Sequence, residues 1–131
     1  MRSPAEILRD ARTIALVGAS PRPKRPSHGV MLYLLDQGYR VVPVRPDCDE
    51  VLGVPCVGSL AEIAEPIDLV DVFRRPEFCP DVAREAVAVG AKAVWLQLGV
   101  VSPEARRIAL EGGLDFVEDA CTAIVHRREV A

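Results

Sequence analysis

Residues 13–18, TIALVG, form an uninterrupted apolar run of strand length that stops at a glycine. A strand with one wet face alternates polar and apolar side chains. One that is apolar throughout needs cover on both faces, and parallel sheets obtain that cover from crossover helices. Comparable runs recur at residues 40–44 (RVVPV), 67–73 (IDLVDVF), 93–98 (AVWLQL) and 114–117. Pro43 is tolerable only near a strand end, because proline donates no ladder hydrogen bond.

Helix signals fill the intervals. Ser3-Pro4-Ala5-Glu6 is a capping box with proline at the first helical position and predicts a helix over residues 4–11. Ser27 is placed to cap a second helix with an apolar stripe of Val30, Met31, Leu34 and Leu35, ended by Gly38. Ser59-Leu60-Ala61-Glu62 reads as another capping box, for a short helix that Pro66 closes. Pro80 opens a helix to Val89 with Gly90 as its stop. Ser102-Pro103-Glu104 starts one that ends at Gly112-Gly113, and a last helix begins near Cys121 and frays into His126-Arg127-Arg128. Five strands, each followed by a helix, predict an α/β chain: a doubly wound parallel five-stranded sheet, order 3-2-1-4-5, with helices on both faces. At 131 residues this is a single domain, residues 1–131, with no visible linker.

Composition excludes several functions. A net charge of −3 offers no global field for nucleic acid or an anionic membrane, so anion binding has to be local. The N-terminal residues carry charges at Glu6, Arg9, Asp10 and Arg12 where an export signal needs an apolar run, and no uncharged stretch approaches membrane-spanning length. A cytoplasmic location is the expectation. Cys48, Cys56, Cys79 and Cys121 form no C-x-x-C pair and predict free thiols; with only His28 and His126 beside them, no metal site is expected.

In a doubly wound sheet the ligand lies beyond the carboxyl ends of the strands where the strand order reverses, expected here beside the first and fourth strands, at the tips Gly18-Ala19-Ser20 and Gln97-Leu98-Gly99. Gly18-Ala19-Ser20 follows the first strand, where a tight backbone turn can approach a pyrophosphate and Ser20 offers a hydroxyl. The G-x-G-x-x-G fingerprint is absent: Ser20 takes the second glycine position, and Gly29 comes only after an insertion carrying Arg22, Lys24 and Arg25. At the tip of the second strand, where an NAD site carries Asp or Glu, stands Arg45. Its fork suits a phosphate on the adenosine ribose, as in NADP or coenzyme A, or else it pairs with Asp47 or Asp49. Arg74-Arg75 after the third strand either binds phosphate or pairs with Glu77 and Asp81. Gln97 is a polar residue in an apolar run and needs either a ligand or a backbone partner.

The segments VGASPRPKRPSHGVMLYLLDQGYRVVPVRP, DLVDVFRRPE and GAKAVWLQLGV, in that order, resemble the small stand-alone CoA-binding domain proteins and, more distantly, the nucleotide half of the succinyl-CoA synthetase α-subunit. The likeness spans roughly residues 13–128. It implies a Rossmann-like domain that binds coenzyme A or a short acyl-CoA. By the resemblance, Gly18, Ala19 and Ser20 sit at the phosphates, Arg45 near the adenosine, and Phe73 and Arg74 at the third-strand tip. Leu96, Gln97 and Leu98 line the path to the pantetheine, and Cys121 stands near the sulfur end. The synthetase carries its phosphorylated histidine in a second domain that this chain has no length for, so neither His28 nor His126 takes that role.

No catalytic residue is expected. Ser20 has no Ser-His-Asp context, Cys121 lies at a helix start without a base, and Asp68 and Asp71 read as structural. Trp95 reads as core. The expectation is therefore a CoA binder without catalysis. The alternatives are an NADP-dependent oxidoreductase or NADP-binding module, and a module that passes its CoA occupancy to an unidentified protein partner.

Overall fold

The computed structural model describes residues 1–131. Helix α1 (Pro4–Asp10) leads into strand β1 (Thr13–Val17), followed by α2 (Pro26–Asp36) and β2 (Arg40–Val44). A small antiparallel hairpin, β3 (Glu50–Val51) and β4 (Val54–Pro55), and a 3-10 turn (Leu60–Glu62) precede β5 (Leu69–Val72). Then come α3 (Cys79–Ala88), β6 (Ala93–Leu96), α4 (Pro103–Glu111), β7 (Asp115–Val117) and α5 (Thr122–Glu129).

The main sheet is parallel throughout, in the order β2-β1-β5-β6-β7. The doubly wound Rossmann-like fold is thus the one the apolar runs demand. In the numbering of that fold, the outermost position beside β2 is held by a single parallel bridge, Val44 to Val57, which stands as position 3 of the 3-2-1-4-5 arrangement. As a consequence the chain's third long strand, β5, and not its fourth, lies beside β1. The order reverses between β1 and β5, so the tips that flank the reversal are Gly18 and Phe73.

Alternate side chains of each strand serve opposite faces. Ala15, Val17, Val70, Val72, Val94 and Leu96 pack with α3 and α4 in one core, while Ile14, Leu16, Leu69 and Trp95 pack with α1 and α2 in the other. Each fully buried Leu or Ile in these layers contributes about 1.5–3 kcal/mol. At the amino edge of the sheet, Asp68 accepts from the Arg12 and Thr13 amides at 2.9 Å each, a structural role as expected.

Three local readings change. The capping box at Ser3 forms, with Glu6 reciprocating. Ser27, by contrast, does not cap α2: the helix begins one residue earlier, at Pro26, and the Ser27 hydroxyl accepts from the Ser20 amide at 3.1 Å. Ser59 precedes only a 3-10 turn, and its hydroxyl donates to the Glu62 carboxylate in place of capping an amide. The end of α5 does not fray at His126. That ring is buried and shares a hydrogen bond of 2.8 Å between Nδ1 and the Tyr33 hydroxyl, which docks α5 on α2.

Candidate functional site

At the carboxyl edge of the sheet the strand tips open into a cleft with two lobes that meet at Gly18, Arg45, Phe73 and Arg74. Lobe one, about 550 Å³, lies between the β2 tip and α3 and is walled by Pro46, Asp47, Gly58, Ser59 and Leu60. Lobe two, about 650 Å³, runs from the β1–α2 loop to the start of α5 and reaches Gln97, Leu98, Cys121 and Ile124.

The turn at Gly18 is where the two lobes join. Its amide still belongs to the sheet, donating to the Val44 carbonyl at 3.0 Å, and its φ is +85°. A Cβ there would lie 2.3 Å from the Phe73 carbonyl oxygen, so neither the dihedral nor the space admits a side chain. Ala19 is buried and its carbonyl accepts from Arg45 Nη1 at 3.2 Å, which ties the first-strand loop to the second-strand tip. Ser20 is buried as well. Its oxygen accepts from the Arg22 amide at 3.1 Å, so the hydroxyl shapes the loop and retains its hydrogen and one lone pair for a ligand. The N-cap of α2 is Arg25, whose side chain has no acceptor, so the helix starts without a side-chain cap and its positive end faces lobe two at Arg25, Pro26 and Ser27.

Cations dominate this edge. Arg22, Arg25, Arg45, Arg74 and Arg75 all line lobe two. The chain's salt bridges join Arg2, Arg40, Arg84, Lys92 and Arg107 to carboxylates, and none involves those five arginines. Pairing of Arg45 with Asp47 or Asp49, and of Arg74 or Arg75 with Glu77 or Asp81, does not occur. Arg74 instead stacks its guanidinium over the Phe78 ring, 4.3 Å from the centroid, which orients the fork without neutralising it. Lys24 sits on the same loop, exposed, outside the lining of either lobe. Leu96 is fully buried beneath the cleft as part of the core and does not line it.

The floor of lobe two contains a network that the sequence concealed. Asp71, fully buried on β5, accepts from Gln97 Nε2 and from the Thr122 hydroxyl, the latter at 2.9 Å; Gln97 Nε2 also reaches Thr122 Oγ1 at 3.1 Å. Within the fold the Gln97 amide nitrogen is thus held by a carboxyl group and a hydroxyl and not by backbone. With Nε2 engaged and no buried side-chain polar atom left unpaired, the Gln97 carbonyl oxygen is turned to the open lobe. Burial pushes the Asp71 carboxyl up to about 7 against the lowering effect of its two hydrogen bonds. The signal available in the sequence was the placement of Asp71, Gln97 and Thr122 on three elements that converge only through the fold.

Leu98 and Ile124 are exposed at the mouth of lobe two, with Val100 and Cys121 between them, so its far end is apolar where its near end is cationic. The loop bearing them is held by Gly99 N to Asp119 Oδ1 at 2.7 Å and by Trp95 Nε1 to the Ala120 carbonyl at 2.8 Å. Trp95 is core, as expected. The cleft as a whole suits an elongated ligand with an anionic middle and one apolar, neutral end.

Residues 12–127 match the family described as CoA binding domain. An uncharacterized protein of Bacillus subtilis, YneT, is 46% identical over 121 residues, which cover 92% of this chain and 90% of that one. A solved structure of a hypothetical protein from Pyrococcus horikoshii is 41% identical and superposes with a TM-score of 0.95 over 98% of this chain and 90% of that chain. The ADP-forming acetate–CoA ligase of Methanocaldococcus jannaschii is 27% identical over 81 residues, which are 62% of this chain and only 12% of that much longer protein. A family match over nearly the full chain, on a parallel sheet whose carboxyl edge carries a cationic cleft, means that the chain belongs to the CoA-binding domain family.

Proposed function

We propose that the cleft binds coenzyme A, or a short acyl-CoA, across the Gly18 turn and holds it without reacting. The observation that carries this reading is the set of five arginines around lobe two that have no carboxylate partner. Guanidinium groups clustered at one edge of a chain with net charge −3, touching at most a carbonyl (Arg45 on Ala19) or a ring (Arg74 on Phe78), keep their charge uncompensated and match the phosphates of one polyanionic ligand. The pyrophosphate lies against the Gly18–Ser20 turn and the start of α2. The adenosine fills lobe one, with Arg45 at the ribose phosphate. The pantetheine runs along Gln97, whose free carbonyl oxygen accepts from an amide of the arm, toward Leu98, Ile124 and Cys121. NADP shares the ribose phosphate, but the apolar far end of lobe two fits a pantetheine arm better than a charged nicotinamide.

Binding without chemistry is supported by the surroundings of the potential nucleophiles. Ser20 is engaged by the Arg22 amide, and His126 is committed to Tyr33. Isothermal titration of the purified chain with coenzyme A, NADP and NAD separates the ligands. Saturable binding of coenzyme A in preference to both dinucleotides is expected, whereas NADP binding with no heat from millimolar coenzyme A would replace this reading with the dinucleotide one.

A further inference from the structure

Cys48 and Cys56 stand on the two legs of the β3–β4 hairpin with their sulfurs 3.0 Å apart, the Cys56 thiol donating to the Cys48 sulfur. That separation is only about 1 Å longer than a disulfide bond. The hairpin is an outer wall of lobe one: Pro46 and Asp47, just before Cys48, and Gly58 and Ser59, just after Cys56, all line that lobe. Its legs are joined by backbone bonds from Cys56 N to the Asp49 carbonyl at 2.9 Å and from Arg45 N to the Val57 carbonyl at 2.8 Å. Val51 anchors it in the core, and Cys48, Val54 and Cys56 pack against the same cluster. Both thiols are half-buried and open to a small oxidant, whereas Cys79 is buried and Cys121 stands just before α5 on the lining of lobe two.

We propose that Cys48 and Cys56 form a redox-active dithiol, oxidised by a hydroperoxide to a disulfide that staples the two legs of the hairpin and locks the wall of lobe one. Cys48 is the attacking sulfur. Burial, followed by the hydrogen bond to Cys48, pushes the Cys56 thiol up to about 12, so Cys56 stays protonated and donates its S–H to the Cys48 sulfur. The Cys48 thiolate attacks the distal peroxide oxygen, the O–O bond breaks, and Cys48 becomes a sulfenic acid while the leaving oxygen departs as water or alcohol. The Cys56 sulfur then attacks the Cys48 sulfur and gives its proton to the departing sulfenic oxygen, which forms the disulfide and releases that oxygen as water. Two thiols lose two electrons, and the hydroperoxide gains them. The cross-link itself is independent of the ligand; only its consequence for retention rests on the coenzyme A reading.

The full chain, reduced and then treated with hydrogen peroxide, is read by intact mass, peptide mapping and amide hydrogen exchange. A mass loss of two hydrogens, a cross-linked Cys48–Cys56 peptide, and several-fold slower exchange at residues 45–57 are expected, and Cys48→Ser or Cys56→Ser each abolishes the cross-link. Oxygen addition without a cross-link, a disulfide to Cys79 or Cys121, or exchange unchanged by oxidation would overturn the proposal. Stopped-flow release of coenzyme A is expected to be a few-fold slower from the oxidised chain, and equal release overturns the locking of lobe one. A chain that cross-links but binds no coenzyme A in either form refutes the ligand and leaves the dithiol standing.

Discussion

Gly18 and Arg45 show how single residues set the cleft. The Gly18 backbone has a φ of +85° and no room for a Cβ against the Phe73 carbonyl, so Gly18→Ala forces two strand tips apart at the point where the lobes meet. A positive-φ site with a direct backbone clash costs about 1–3 kcal/mol, and calorimetry is expected to show coenzyme A affinity falling at least tenfold, with a lower melting temperature. Arg45 is a different case, because it is exposed and its side chain makes one hydrogen bond to the protein, to the Ala19 carbonyl. Arg45→Glu is expected to weaken coenzyme A more than dephospho-CoA, in a direct comparison of the two dissociation constants. Equal losses would remove Arg45 from the ribose phosphate. Both residues were legible in the sequence, Gly18 as the end of a buried strand and Arg45 as a cation where an acid is usual. Gln97 was legible only as a question, since its partner Asp71 lies on another strand.

At the scale of elements, β5, β6 and α5 are joined under lobe two by Asp71, Gln97 and Thr122. The folded value of the Asp71 carboxyl, about 7, lies above its ordinary 3.8, so between those values the native chain holds a proton that the unfolded chain has lost. The stability this contributes is present below about pH 4 and is lost as pH rises toward 7, with a slope approaching roughly 1.4 kcal/mol per pH unit in that window. Asp71→Asn, neutral at every pH, is expected to flatten that slope in urea titrations run from pH 4 to 8 and to be more stable than the parent at pH 8. His126 acts in the opposite sense. Burial lowers its pKa from 6.5, so the unfolded chain takes up protons first and stability falls as pH drops below that value. The two groups are separable because the Asp71→Asn variant loses the alkaline-side slope and keeps the histidine's acid-side loss, to which Glu6 and Asp68, both lowered, add at lower pH. The β3–β4 hairpin was invisible to sequence reasoning for a plain reason. Its strands are two residues each, and its turn, Leu52-Gly53, puts a leucine at a φ of +51° where Asn or Asp is usual.

For the whole molecule, the net charge of −3 conceals a division of labour. Carboxylates pair with arginines and a lysine away from the cleft, while the carboxyl edge of the sheet keeps guanidinium groups unpaired. Coenzyme A affinity is therefore expected to fall roughly tenfold as ionic strength rises from about 0.05 to 0.5 M, because salt screens exposed charges at these separations. Titrations at the two salt concentrations measure it, and an affinity insensitive to salt would mean that the arginines do not carry the binding.

Local patterns in the sequence were enough for the parallel, doubly covered sheet, the position of every long strand and the glycine turn after the first. Apolar runs, capping residues and glycine stops act within a few residues and need no distant partner to be read. Long-range packing set β5 beside β1, left Val57 alone in the position outside β2, and brought Asp71 beneath Gln97 and Thr122. Those outcomes depend on which faces pack together and on which buried polar groups find partners across the fold. Such contacts join residues that no local pattern connects.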